Sequence, residues 1–114
     1  MISLSEATKV YLFAEPTDMR AGFDGLSHKV KRQGLELFSG HLFVFISKRG
    51  DRIKILTWER GGLTLWYKRL ERGTFKRMKG TGALQIDSGG LWGGFFRYGF
   101  IRTLTWASPA APAP

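Results

Sequence analysis

The sequence predicts a small single α+β domain: a three- to four-stranded antiparallel meander packed against one main helix, with a poorly specified C-terminal third. Three observations predict it. Runs rich in β-branched and aromatic residues alternate with Gly-containing polar turns between residues 42 and 67. One segment ahead of them switches to helical spacing. The chain has 114 residues, 43% of them hydrophobic and 14% aromatic, which is enough for one core and too short for two comfortable ones.

Val10-Tyr11-Leu12-Phe13 is short, apolar and β-prone, and Glu15-Pro16-Thr17-Asp18 closes it with turn chemistry, so a first strand is expected there. From Asp18 the spacing changes. Met19, Phe23, Leu26 and Val30 fall four, three and four apart, the apolar stripe of a helix running from about 18 to 33. Thr17 or Asp18 is placed to cap its first amides, and Gly34 to end it in a left-handed turn. Gly22 and Gly25 would each cost roughly 1 kcal/mol inside a helix relative to Ala. Either a close approach to another backbone or a loop-like first turn up to Gly25 accounts for them. Lys29, Lys31 and Arg32 make the last turn basic, which suits the helix dipole.

Leu42-Phe43-Val44-Phe45-Ile46 and Ile53-Lys54-Ile55-Leu56-Thr57-Trp58 flank the polar turn Ser47-Lys48-Arg49-Gly50-Asp51-Arg52 and read as a hairpin. Glu59-Arg60-Gly61-Gly62 supplies the next turn and Leu63-Thr64-Leu65-Trp66-Tyr67 the third strand. Alternation sets Ile53, Ile55 and Thr57 against Lys54, Leu56 and Trp58, and Leu63, Leu65 and Tyr67 against Thr64, Trp66 and Lys68. The expectation is that Lys54, Trp58, Trp66 and Lys68 share one aromatic and basic surface. Lys68 to Gly73 reads as a helical turn or loop, Thr74-Phe75-Lys76 as a short further strand, and Leu84-Gln85-Ile86-Asp87-Ser88 as the start of a strand or a helix cap. Residues 1–80 are thus expected to form the domain. Residues 81–114, with four glycines among the aromatics of 89–96 and a Pro/Ala end, are expected to be a partly disordered tail.

Composition excludes several chemistries. With no cysteine there is no thiolate catalysis, Cys-ligated zinc or iron–sulfur cluster, and a reducing compartment fits. No apolar run approaches the roughly 20 residues needed to span a bilayer, and the first residues lack the basic start and apolar stretch of a signal peptide, so a cytoplasmic location and no membrane partner are expected.

Charge is the first functional clue. The formal net charge is +9, and residues 48–79 carry eleven Lys/Arg against Asp51, Glu59 and Glu71, while residues 1–47 are balanced. A concentrated positive field attracts polyanions, because neutralising phosphates releases their counterions. An excess serving solubility alone need not cluster.

Thr17-Asp18-Met19-Arg20-Ala21-Gly22-Phe23-Asp24-Gly25-Leu26, then Phe38-Ser39-Gly40-His41-Leu42-Phe43-Val44-Phe45, Arg49-Gly50-Asp51-Arg52-Ile53-Lys54-Ile55-Leu56 and the stretch from Gly62 through Phe75, together resemble a known family. It is that of the small accessory proteins encoded in the second reading frame of the sixty-six family of bacterial insertion sequences, called TnpB there. The likeness covers roughly residues 4–76. It implies a role in transposition beside a separate transposase that carries the catalytic acidic residues, and it brings no reaction of its own. After Phe75 the chain departs from the family: a Trp-Pro pair and a Leu-rich amphipathic helix are replaced by Lys76-Arg77-Met78 and then by Gly, aromatic and Pro/Ala residues. A reading frame shifted near Ser88 would produce such a tail.

The candidate nucleic-acid contacts are Lys48, Arg49 and Arg52 at the hairpin tip, Lys54 in the strand after it, and Lys68, Arg69 and Arg72 extending the same basic rim. Trp58 and Trp66 are candidate base-stacking platforms or packing groups. Asp18, Asp24 and Asp51 are the acids within the motifs. A metal-dependent nuclease needs clustered carboxylates, whereas Asp18 suits a helix cap, Asp24 a pair with Arg20, and Asp51 the hairpin turn. His41, with no second His or nucleophile near it, reads as structural, and His28 as helix surface. No phosphate loop or dinucleotide fingerprint is present. The expectation is a non-catalytic accessory protein without metal or cofactor, binding DNA through the basic hairpin. The alternative is a subunit that docks on the transposase through its aromatic face.

Overall fold

The computed structural model describes residues 8–75 and 79–86. Five strands form one mixed sheet in the order β4-β3-β2-β1-β5: β1 Val10–Phe13, β2 Leu42–Ile46, β3 Arg52–Glu59, β4 Gly62–Arg69 and β5 Ala83–Ile86. One helix, α1 Phe23–Arg32, and a single 3-10 turn, Leu37–Ser39, complete the described elements. The domain is α+β. The antiparallel meander is β2-β3-β4, and two further strands extend it on the β2 side. β1 lies parallel to β2, with α1 in the connection between them, and β5 runs antiparallel to β1 at the far edge. Parallel neighbours require such a crossover, and the first strand's partner is therefore 32 residues away in the chain, at Val10↔Leu42. β5 lies past residue 80, so the sheet extends beyond the boundary read from sequence. The expected tail disorder and frame shift concern residues outside the described ones, apart from this strand.

Burial explains the strand sequences. All five residues of β2 are buried, the continuous apolar run of a central strand covered on both faces. One face carries Phe13, Phe43, Phe45 and Leu56 under Leu26 and Val30 of α1, with Leu37 of the 3-10 turn. The opposite face carries Val10, Leu12, Leu42, Val44, Ile46, Ile53 and Ile55, with Phe75 and Leu70 packed against it. Burying a Leu or Val side chain contributes about 1.5–3 kcal/mol, so Leu26 and Val30, both at 0% exposure, fix the helix to the sheet.

The helix is shorter than its apolar spacing predicts. Gly22, in extended conformation, is its first flanking residue and no side chain caps it. Phe23 is 47% exposed rather than part of the buried stripe. Asp18 lies five residues before α1 and accepts instead from the backbone N–H and guanidinium of Arg20. Arg20 therefore pairs with Asp18 at 2.6 Å and not with Asp24. The C-terminus is as expected: Gly34 adopts φ 73°, its N–H donates to Lys31 O, and the Leu35 N–H donates to Val30 O. That pair of bonds is the Schellman arrangement.

Thr74 and Phe75 form no strand; they fold back on the β2–β3 turn, and Lys76 lies outside the described residues. Leu84 to Ile86 do form one, within β5. Among the described residues no helix is long and apolar enough to cross a membrane.

Candidate nucleic-acid interface

The ends of β1, β2 and β4 and the starts of β3 and β5 meet at one end of the sheet, where Lys48, Arg49, Arg52, Arg69 and Arg72 come together beside Glu15, Asp18, Asp51 and Glu71. The β2–β3 turn is closed by Gly50 N–H on Ser47 O (2.9 Å), Ser47 N–H on Arg52 O (3.0 Å) and Arg52 N–H on Ser47 Oγ (3.1 Å). Asp51 stays within this turn, its Oδ1 accepting from Ser47 Oγ at 3.3 Å. Gly50 has φ 81°, and a Cβ there would lie 3.2 Å from the Thr74 Cβ. The left-handed backbone favours glycine, and the close approach leaves little room for a side chain.

That approach brings a second loop to the turn. Leu70 N–H donates to Asp51 O and Phe75 N–H to Gly50 O, each at 2.7 Å, so the segment after β4 is bound by its backbone to the hairpin tip. Lys48 and Arg49, Arg52 and Arg69 at paired positions of β3 and β4, and Arg72 in the bound loop thereby gather at one end. Arg52 donates to Tyr67 Oη at 3.3 Å. Arg69 pairs with Glu71 at 3.3 Å, with side chains 59% and 82% exposed. A surface pair of that kind is worth little and is screened by salt, so it leaves Arg69 able to exchange partners.

Two hollows flank Arg52. One of about 410 Å³ is lined by Met19, Lys48, Arg49, Asp51 and Arg52, among others. The second, of about 360 Å³, is lined by Arg52, Tyr67, Arg69 and Glu71.

Two of the seven predicted contacts are placed elsewhere. Lys54 is 7% exposed, and its Nζ donates to the carbonyls of Met19 and Ala21 at 2.8 Å each while sitting 4.7 Å from the centre of the Tyr67 ring. It is an internal clamp on the loop before α1, because a buried ammonium is tolerated only with its donors satisfied. Lys68 pairs across from Ile53, on the opposite face from Lys54. The expected surface of Lys54, Trp58, Trp66 and Lys68 is therefore split: Ile55 faces Trp66 and Trp58 faces Leu63, so the two tryptophans lie on different faces. The cause is the β3–β4 turn. Glu59 pairs directly with Gly62, and Arg60 (φ 52°) and Gly61 (φ 79°) are its two central residues. This is a type I′ turn, which sets the register of every cross-strand pair. Trp66 packs against the core on its face.

At the other end of the sheet Phe38, 54% exposed, lies over Trp58 with ring centres 4.7 Å apart. Sequence reasoning did not single out Phe38. His41 is half-buried, its Nδ1 accepts the Lys9 N–H at 3.0 Å, and burial followed by the nearby Lys9 charge pushes its pKa below 6.5. It is a structural histidine, and His28 is exposed on α1. The Arg20 guanidinium and then the Arg20 N–H hold the Asp18 carboxyl at about 2. Asp24 is exposed on α1, and among the described residues no three His, Asp or Glu side chains gather as metal ligands.

The fold and this site define a small α+β protein with a basic sheet end. Residues 8–92 match the family described as IS66 Orf2 like protein, and the chain belongs to that family of insertion-sequence accessory proteins. The match continues past Phe75, where the motif likeness stops, and takes in β5. Two proteins of Sinorhizobium fredii (strain NBRC 101917 / NGR234) are similar: uncharacterized protein y4jC is 36% identical over 76 residues, 66% of this chain and 65% of its own length. Uncharacterized protein y4hO is 34% identical over 76 residues, 66% of each chain. The chain thus spans just under two thirds of the length of these relatives. No solved structure matches it.

Proposed function

We propose that this protein is a non-catalytic accessory factor of its insertion sequence that binds DNA through the basic sheet end, with Lys48, Arg49, Arg52, Arg69 and Arg72 meeting the phosphate backbone. The observation that carries this reading is the pair of 2.7 Å backbone bonds that pin the Arg72 loop to the hairpin tip. They hold cations from two separate chain segments in one fixed array, so binding does not first have to order them. Phosphate contacts of this kind supply affinity and register without reading sequence.

The test is a mobility-shift titration of duplex DNA with the protein and with a variant carrying Lys48→Gln, Arg49→Gln, Arg52→Gln and Arg69→Gln. The expected result is at least a ~100-fold loss of affinity at low salt, since removal of several phosphate contacts removes most of the counterion-release term. Undiminished retention by the variant contradicts the interface.

A second reading rests on exposed Phe38 over half-buried Trp58, an aromatic patch of the kind that anchors protein interfaces. On this reading the protein docks on the transposase without touching DNA. Co-capture of the transposase after nuclease treatment, together with no DNA retention by the protein alone, would favour it.

A further inference from the structure

The hollows of the basic end do not stop at the hairpin rim. Glu15, Thr17, Lys29, Arg32 and Gln33 are among the residues around a third hollow, of about 260 Å³, beside Phe13 and Gly82. It adjoins the hollow beneath Lys48 and Arg49, because Thr17 lines both. Thr17 is a fixed wall: it is 3% exposed and its N–H donates to Ile46 O at 2.9 Å. The hollow beneath the hairpin tip in turn shares Arg52 with the one beside Arg69. The three therefore follow one another across the end of the sheet, from β4 past the β2–β3 turn to the edge where Phe13 and Gly82 lie.

Lys29 and Arg32 bring two cations to the third hollow against one acid, Glu15. Neither side chain makes a hydrogen bond or salt bridge with another described residue, and Lys29 lies near enough to the Asp18 carboxylate to help lower its pKa. The charge of both side chains also suits the dipole at the end of α1. The Schellman turn at Gly34 supplies backbone donors to the Val30 and Lys31 carbonyls, so these side chains are not needed to cap those groups and instead line a hollow.

We infer that Lys29 and Arg32 form a second phosphate-binding hollow, and that one backbone of duplex DNA runs across the whole sheet end from Arg69 to Arg32. This rests on the DNA-binding reading above and extends it to a footprint. Five strands at about 4.8 Å spacing give a path of about 19 Å.

The test uses the full chain and a random-sequence duplex of two helical turns, with binding measured by fluorescence anisotropy across a salt series. Lys29→Gln with Arg32→Gln should lower the slope of log affinity against log salt by about 1–2 and weaken binding by about tenfold, at ~0.9 per phosphate contact. Lys31→Gln, on the same helix but outside the hollow, should behave as the parent protein. The charge-keeping pair Lys29→Arg with Arg32→Lys should restore the slope. Equal slopes for the Gln pair and the parent, while the rim variant is weakened, overturn the inference and leave the rim reading standing. A loss shared by the charge-keeping pair also overturns it, by showing that packing rather than charge was removed. A parent protein that shows no salt-dependent binding overturns both readings.

Discussion

The two ends of the sheet are built on the same strands and differ in what their connections carry. At one end Lys48, Arg49, Arg52, Arg69 and Arg72 stand against Asp51 and Glu71, with Glu15, Asp18 and Arg20 in the connection after β1, and backbone hydrogen bonds lock the two cation-bearing loops together. At the other end Lys9 and Arg60 are balanced by Glu36 and Glu59, and the exposed feature is Phe38 on Trp58. Strands fix where a loop sits, and loops fix what that place can bind. The contrast between Lys54 and its neighbours repeats this on a smaller scale. Arg52, two residues before it, reaches the rim, whereas Lys54 points inward and is consumed by two carbonyls.

The largest expected effect breaks that smaller contrast. Lys54→Met leaves the Met19 and Ala21 carbonyls without their donor; charged hydrogen bonds of this type contribute about 1.5–3 kcal/mol each, and part is regained by no longer burying an ammonium. A net loss of about 2–3 kcal/mol should lower the thermal midpoint by about 10 °C or more. An unchanged midpoint would mean that Lys54 faces solvent.

A smaller change of opposite sign is expected at the neutral end. Arg60 holds a left-handed φ of 52° in the type I′ turn, a conformation that Asn adopts more readily. Arg60→Asn should stabilise the protein by about 0.5–1 kcal/mol, read from the urea midpoint. A loss would show that the Arg60 side chain makes a stabilising contact.

The pH dependence set by His41 is smaller still. Its folded pKa lies below 6.5, so as pH falls through 6.5 the unfolded chain takes a proton that the native one refuses. Stability is therefore complete above that pH, declines as pH drops towards the lowered folded value, and is constant below it. The urea midpoint should be lower at about pH 5.5 than at about pH 7.5, and His41→Gln should shrink the difference. A difference of full size in that variant would assign it to another group.

No effect on DNA is expected from Phe38→Ser, since the aromatic end lies away from the rim. A matching loss of DNA binding would merge the two ends into one interface and end the comparison.

Much of the fold was legible because its signals are local. The spacing of Leu26 and Val30, the alternation in Ile53-Lys54-Ile55 and the glycine at Gly34 each depend on a few neighbouring residues. The parallel pairing of β1 with β2 was not legible, since it joins residues 32 apart and leaves no mark in either segment. Lys54 was misplaced for the same reason: alternation puts it on a face, but its partners at Met19 and Ala21 come from 35 and 33 residues away. The split of Trp58 from Trp66 was legible in principle. A two-residue Arg60-Gly61 turn pairs Glu59 with Gly62 and fixes every facing residue, whereas reading Glu59 to Gly62 as an undivided turn leaves the register open. The rim itself was half legible. The clustering of charge along the chain was visible, but the folding of the Arg72 loop onto Gly50, and the approach of Lys29 and Arg32 to the same end, are tertiary.

The most direct test of the basic end is the salt dependence of duplex DNA binding by the unaltered protein. With five to seven cations engaged, log affinity should fall against log salt with a slope of about −4 to −6, at ~0.9 per phosphate. A slope near zero, or no binding at low salt, would contradict a phosphate-docking surface at this end of the sheet.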